Sequence, residues 1–182
     1  TLGGFFGVRM RDRSNAGLSI PGGWRTGDWD VFQRALGEFL HTLAAETSAL
    51  DLTVSMALHG CLSGGGAPQL CNLSSAQTLE IGHYSWTTSE VGDLGDAAMR
   101  ELGWTPADER PPRHDHFGPV DYVLGTFAPG EADGAALAAT VVGYLRAMGV
   151  ASPGDLMLSD FAEEIGPYRF TFYGLAGLNS AG

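Results

Sequence analysis

The fold is decided by the stretch Leu50-Asp-Leu-Thr-Val-Ser-Met-Ala-Leu58, in which apolar side chains alternate with polar or small ones. Alternation over this length has the period of two that marks a half-buried β-strand. A glycine-rich turn centred on Gly66 follows, and two further extended segments come after it, residues 69–73 and 79–83. Their short connections predict three consecutive antiparallel strands, a β-meander.

Three helices are predicted around the meander. Residues 28–47 and 133–149 have apolar side chains at helical spacing, and each stretch begins near an aspartate that can cap a helix. Between these two in the chain, a second helix is predicted over residues 87–103, because Thr87 and Glu90 have the spacing of a capping box and Gly103 can end a helix.

The remaining segments complete a prediction of fold class and domains. Residues 117–127 are expected to form a fourth strand or two short ones, and residues 168–173 an edge strand. We therefore predict an α+β fold, with helices packed on an antiparallel sheet of four to five strands in the order α-β-β-β-α-β-(β)-α. A chain of 182 residues has room for one sizeable core. We place that domain at residues 28–158, between an irregular N-terminal arm (1–27) and a C-terminal extension (159–182).

Charge and hydropathy exclude several classes of partner. The chain has 21 acidic and 10 basic residues, a formal net charge of -11. Such a charge repels polyanions, so nucleic acid is not expected as a partner. No apolar run approaches the roughly 20 residues that cross a bilayer, so no membrane span is predicted. We expect a soluble, cytoplasmic protein.

Two cysteines, Cys61 and Cys71, flank the glycine-rich turn. Neither belongs to a CxxC pair or lies near clustered histidines, so zinc and redox motifs are absent. A hairpin centred on Gly66 would place the two residues opposite each other as a cross-strand pair. The pair then either oxidises to a disulfide or packs as two small thiols.

One segment has residues that ligate metals. It is His114-Asp115-His116, and imidazoles two positions apart can chelate a metal when other elements supply the remaining ligands. The third ligand is missing nearby in the sequence, and Glu109 or Asp121 could serve only if the loop bends back. A proline-flanked segment of this kind is more typical of a solvated loop. We predict no metal and no other cofactor.

No catalytic motif is complete. Ser63 lacks the glycine two positions before it that a nucleophile elbow requires, because Cys61 stands there. The glycine run also lacks the Gly-Lys-Ser/Thr ending of a phosphate-binding loop. An enzyme would need a pocket that brings together distant groups such as His83, Asp93 and His116. We predict that the protein is not an enzyme.

Several residues recur in an order that resembles a known family. They are Trp29, Phe32, Gln69, Leu79-Glu80-Ile81, Leu102-Gly103-Trp104-Thr105-Pro106, the acidic and proline-rich residues 108–112, Gly149-Val150, Pro153 and Asp155-Leu156. Together with the order of elements, they resemble the actinobacterial TY-Chap domains of the type III secretion chaperone and YbjN-like superfamily. The resemblance covers residues 28–158. It implies a peptide-binding chaperone with no catalytic residues, and it implies a homodimer because superfamily members often pair.

Two functions follow as hypotheses. The first is a chaperone or adaptor that binds a protein or peptide client at a sheet face or edge, with partner choice set by the acidic surface. It predicts an exposed apolar patch and aromatic anchors, formed by Leu70, Leu73, Tyr84, Trp86, Tyr122 and Leu124. The alternative is a constitutive accessory or scaffold subunit of a larger assembly, anchored by its terminal extensions.

Overall fold

The predicted meander forms the centre of one antiparallel sheet. A computed structural model describes residues 18–19, 26–88, 91–110 and 120–160. The strands are β1 (Leu18–Ser19), β2 (Val54–Gly60), β3 (Gln69–Ser75), β4 (Leu79–His83), β5 (Thr105–Pro106), β6 (Tyr122–Phe127) and β7 (Leu156–Asp160). They lie in the order β1-β7-β2-β3-β4-β6-β5, and each neighbouring pair is antiparallel. The α+β class is confirmed, with more strands than the four to five predicted.

Two long helices cover one face of the sheet. The helices are α1 (Trp29–Ala49), α2 (Ser85–Thr88), α3 (Asp96–Glu101) and α4 (Gly134–Ala147). The apolar sides of α1 and α4 pack with the inward side chains of β2, β3 and β4 in a single core cluster. The two helices cross where Gly37 meets Gly134, so closely that a Cβ on Gly134 would lie 2.3 Å from the Gly37 oxygen.

The side chains of the meander alternate between its two faces, as a period of two requires. Val54, Met56 and Leu58 belong to the core cluster under the helices. The residues between them face the other way, where Ser55 bonds to Asn72 and the Asn72 amide donates to the Ser74 hydroxyl at 2.6 Å. The sheet therefore has one apolar face and one polar face.

The predicted second helix is interrupted. The structure has α2 and α3 in place of one helix over residues 87–103. Between them Gly92 and Gly95 have φ values of 92° and 82°, which lie outside the helical region and favour glycine. The helical spacing of apolar residues across this segment predicted one continuous helix, and that prediction is wrong.

The strand β7 was not predicted. It pairs with β2, and Met56 lies opposite Asp160 at one end of the pairing and Gly60 opposite Leu156 at the other. In the sheet, β7 lies between β2 and β1. The strand runs two residues past the predicted domain end at 158. The predicted strand at residues 168–173 lies outside the described residues.

Two other predictions agree with the structure. The third predicted helix is α4, and its predicted start at Asp133 is the N-cap, whose carboxylate accepts from the Ala135 and Ala136 N–H groups. The end of the extended segment 117–127 forms β6. In the described part of the chain, none of the helices has the length and apolar character that a bilayer span requires.

Candidate functional site

In the described part of the chain, the last four of the six residues of β6 have no strand on the side away from β4. β6 lies between β4 and β5, and β5 has two residues, which pair with Tyr122 and Val123. Residues 124–127 continue beyond β5, and we call them the free half of β6. Among the described residues, no further strand pairs with the free half on this side. An uncovered strand edge presents backbone groups to which another chain can add a strand.

The inner surface of the free half is covered by its own aromatic residue. The ring of Phe127 lies over Gly125, where an added Cβ would come within 2.4 Å of the ring carbon Cζ. Phe127 also packs on the core cluster. The core beneath the free half is therefore closed, while the backbone edge remains at the rim of the sheet.

A single arginine side chain occupies this edge. The Arg110 guanidinium donates from Nη2 to the Leu124 carbonyl oxygen at 3.0 Å, and the same nitrogen lies 3.5 Å from the Thr105 hydroxyl. No carboxylate of the described residues forms an ion pair with Arg110. Its charge therefore faces a backbone dipole at the strand edge.

A second arginine nearby is fully paired. Arg100 donates from Nε to Asp96 at 2.8 Å and from Nη1 to Glu109 at 2.9 Å. The hydrogen bonds from Arg100 lower the pKa values of both carboxyl groups. Asp96 also accepts from the Tyr122 hydroxyl at 3.1 Å, and burial together with this bond raises the Tyr122 pKa. This ion-pair network ties α3 to the paired end of β6.

Beneath the paired end of β6 lies a buried cluster of rings. His83, the last residue of β4, packs against Trp104, Tyr122 and Tyr144 with ring centroids 5.5 to 6.1 Å apart. Trp104 and Tyr144 are themselves 5.2 Å apart in an edge-to-face contact. The Tyr144 hydroxyl donates to the Leu70 carbonyl at 3.1 Å, and burial raises the Tyr144 pKa.

The imidazole of His83 is buried with incomplete hydrogen bonding. Its Nε2 atom lies 3.5 Å from the Thr88 hydroxyl and 3.9 Å from the Asp93 carboxylate, and the Thr88 hydroxyl donates to Asp93. Both neighbours therefore offer acceptor oxygens, which favours the tautomer protonated at Nε2. The His83 Nδ1 and Trp104 Nε1 atoms are buried, and neither has a hydrogen-bond partner among the described residues. Burial lowers the His83 pKa, although Asp93 and Asp121 act to raise it.

The sequence named His83 and Asp93 as groups an enzyme would have to bring together, and the structure does bring them together. In a catalytic relay, however, the carboxylate orients one ring nitrogen and the nucleophile lies at the other. Here Thr88 and Asp93 share the same nitrogen. His116, the third group, lies outside the described residues, as does His114. Within the described ranges, no group of three or more His, Cys, Asp or Glu side chains could hold a metal.

The structure corrects the predicted apolar patch. Leu70 and Leu73 are fully buried in the core cluster, and Leu124 is 8% exposed. The prediction that these three side chains are exposed is wrong, because their side of the sheet is the one that the core occupies. Tyr84 and Tyr122 are partly exposed near the paired end of β6. Trp86 belongs to α2, and its side chain is not described.

The predicted cysteine pairing is also wrong in this structure. Cys71 pairs with Leu58 across the β2–β3 hairpin, while Cys61 follows the end of β2 and is exposed. The register shifts between Leu58 and His59, so the strands are not symmetric about Gly66 as the prediction assumed. Both cysteines are free thiols, and burial raises the Cys71 pKa to about 12.

A shallow groove of about 470 Å³ lies between α1 and the start of α4. Arg34, Glu38 and His41 line one side, and residues 132–135 line the other. Because the Asp133 side chain already caps the start of α4, the groove has no free helix terminus to offer an anion. We assign it no function.

Arg110 is the residue that sequence reasoning missed. In the sequence it follows Asp108 and Glu109 in a proline-rich stretch, which suggests a local ion pair in a loop. The structure instead directs Glu109 to Arg100 and Arg110 to the strand edge. No local pattern indicates this exchange of partners, because the two partners, Arg100 and Leu124, come from other elements.

Comparison with known protein families gives a match to TY-Chap3, described as "T3SS (YopN, CesT) and YbjN peptide-binding chaperone 3", over residues 24–162. The matched span includes the core helices, the central strands and the candidate edge. No curated protein and no solved structure matches the chain.

Proposed function

This chain belongs to the TY-Chap3 family of peptide-binding chaperones, and on that premise we propose that it is a non-catalytic chaperone or adaptor that binds an extended client segment along the free half of β6. One observation carries the choice of site: β5 covers the first two residues of β6 and leaves residues 124–127 at the rim. A client strand added there would form main-chain hydrogen bonds of the kind that drive β-augmentation.

The burial of Leu70 and Leu73 favours a client-binding site at the edge of the sheet over one on its helix-covered face. Leu70 and Leu73 lie in the core on the helix-covered face, so these two side chains are not available to a client. Main-chain pairing needs no such patch, since its affinity comes from backbone groups. Tyr84, Trp86 and Tyr122 remain proposed as aromatic anchors for the client.

The charge of the protein suggests the chemistry of its client. The net charge of -11 favours a basic segment, because complementary potentials accelerate encounter and suppress partners of like charge. The client is therefore proposed to be extended and rich in Lys or Arg.

The alternative of a scaffold subunit anchored by its extensions has less support. β1 belongs to the N-terminal arm and pairs with β7 of the same chain. At least this part of the arm is therefore used within the fold.

Amide hydrogen exchange tests the proposed site. The probe is a capped synthetic peptide that alternates valine with lysine, and its control alternates valine with glutamate. We expect the lysine peptide to slow exchange in residues 124–127 and to leave α4 unchanged, because strand addition protects edge amides. Protection that falls elsewhere, or none at saturating peptide, would refute the proposed edge.

A matched pair of variants tests the charge component. Thr126 is exposed on the free half of β6, and Ala139 is exposed on α4. Thr126→Lys should weaken binding of the lysine peptide several-fold at low salt, while Ala139→Lys should have a small effect, since like charges repel most at short range. Equal effects of the two variants would show that the peptide responds to net charge and not to this edge.

A further inference from the structure

We propose that Arg110 is a gate on the free half of β6, which has to leave the Leu124 carbonyl before a client strand can pair there. This inference rests on the proposed function and adds a regulatory residue to the same site. Its basis is that the Arg110 guanidinium and an incoming backbone N–H would compete for one acceptor, the Leu124 oxygen.

The geometry fits a cap that can be removed. Arg110 lies immediately past the short strand and turn that follow α3, and its Nη2 atom reaches Leu124 across 14 positions of sequence. The contact consists of side-chain hydrogen bonds to Leu124 and Thr105, and a rotation about side-chain torsions breaks both without moving a strand. Hydrogen bonds from charged donors are stronger than neutral ones, so the cap opposes docking measurably.

The contrast with Arg100 indicates that Arg110 has this separate role. The chain has 21 acidic residues for its 10 arginines, yet Arg110 has no carboxylate partner among the described residues, whereas Arg100 has two. An arginine that served stability alone would gain more from a carboxylate. A charged side chain at a strand edge also prevents unselective pairing with other edges.

The proposed role of Arg110 restricts which client segments can bind. A docking segment has to supply a backbone N–H to the Leu124 oxygen and has to tolerate the displaced guanidinium beside it. A proline at that position has no backbone N–H, so it would not replace the hydrogen bond from Arg110 to Leu124. A segment that made only isolated polar contacts there would not replace it either. The client is thus a continuous strand with a free N–H level with Leu124.

The test compares Arg110→Met with Arg146→Met, an exposed arginine on α4. Methionine keeps much of the side-chain bulk and removes every donor. Titration with the valine-lysine peptide should give a Kd on the order of ten-fold lower for Arg110→Met, because docking no longer breaks a charge-assisted bond. Arg146→Met should change the Kd far less, since it alters net charge alone. Arg110→Gln retains an amide donor and should fall between wild type and Arg110→Met.

The outcomes separate the gate from the proposed function. If the peptide protects residues 124–127 and Arg110→Met binds it no more tightly than Arg146→Met, the gate is refuted and the binding edge stands. Weaker binding by Arg110→Met would identify Arg110 as a client contact, which also refutes the gate. Absence of peptide binding in all variants, each verified as folded by urea unfolding, would refute both proposals.

Discussion

Two contacts of this molecule differ in kind. One is the crossing of α1 and α4, and the other is the contact that covers the free half of β6. At the crossing, backbone meets backbone at Gly37 and Gly134, and no side chain lies between them to move aside. At the free half of β6, the Leu124 carbonyl is covered by the flexible side chain of Arg110. The first contact can open only if helices separate, whereas the second opens by rotation of one side chain. Stability and binding are therefore expected to reside in different parts of the molecule.

The largest expected effect is at the crossing. Gly134→Ala places a Cβ 2.3 Å from the Gly37 oxygen, so the helices have to move apart. Overpacking of this kind costs about 1–3 kcal/mol, and the obstacle here is backbone, so we expect the upper end of that range. Urea unfolding measures the loss, while the Kd for the valine-lysine peptide should stay unchanged in the folded protein.

Gly143→Ala is the matched control in the same helix. Its added Cβ would meet the Leu102 side chain at an ordinary 3.7 Å. Alanine is favoured over glycine within a helix by up to about 1 kcal/mol, so this variant should be as stable as wild type or more so. If both variants lose stability equally, close backbone approach is not what holds the crossing.

The next effect distinguishes a buried from an exposed hydroxyl. Tyr144→Phe removes the donor to the buried Leu70 carbonyl and should cost about 1–2 kcal/mol of unfolding free energy. Tyr122→Phe removes the donor to Asp96 at the protein surface and should cost much less. Equal losses would contradict the assignment of the stabilising hydrogen bonds to the core.

His83 gives the core a pH dependence. Burial lowers the His83 pKa below the ordinary histidine value of 6.5, so the unfolded chain takes up a proton first as the pH falls. The contribution of the neutral His83 imidazole to the unfolding free energy is therefore fully present above about pH 6.5. Below that pH it declines, with a slope of at most about 1.4 kcal/mol per pH unit. Unfolding free energies measured between about pH 7.5 and about pH 5 test the direction.

The variant His83→Gln should show a shallower decline over that range. His59 also has a pKa lowered by burial, so His59→Gln is needed to measure its separate share. A decline of unchanged slope in His83→Gln would mean that the buried imidazole is not the group responsible.

The smallest effect is expected from the paired arginine. Arg100→Met releases the carboxylates of Asp96 and Glu109 at the paired end of β6. The more negative surface should lower the Kd of the valine-lysine peptide by about two- to three-fold at low salt, and the difference should vanish at high salt because exposed charges are screened. A salt-independent change would instead point to altered packing of α3.

Much of the fold could be predicted from local sequence. The alternation through Leu50–Leu58 located β2, although the strand begins at Val54, after Asp51 adopts a φ of 53°. The capping aspartate and apolar spacing located α4. Several elements or breaks were mispredicted, among them the interruption at Gly92 and Gly95, strands β5 and β7, and the register of the β2–β3 hairpin. Each depends on partners distant in sequence or on a glycine conformation that spacing does not reveal.

The candidate site was predicted less well. Tyr122, which was predicted to contact the partner, is partly exposed at the paired end of β6, whereas Leu70 and Leu73 were assigned to the wrong environment. An apolar residue in a strand fits a core or an exposed patch equally well, and only the position of the helices decides between them. Arg110 gave no signal, since its acceptor is a backbone carbonyl of another strand.

The sequence by itself determined the α+β class, the central meander, the acidic character and the family, because these depend on periodicity, composition and ordered local motifs. The tertiary structure alone decided which face of the meander is core, which arginine is paired and which edge of β6 is left uncovered. Those features arise from contacts between segments far apart in the chain, and their energies depend on geometry that no local pattern contains.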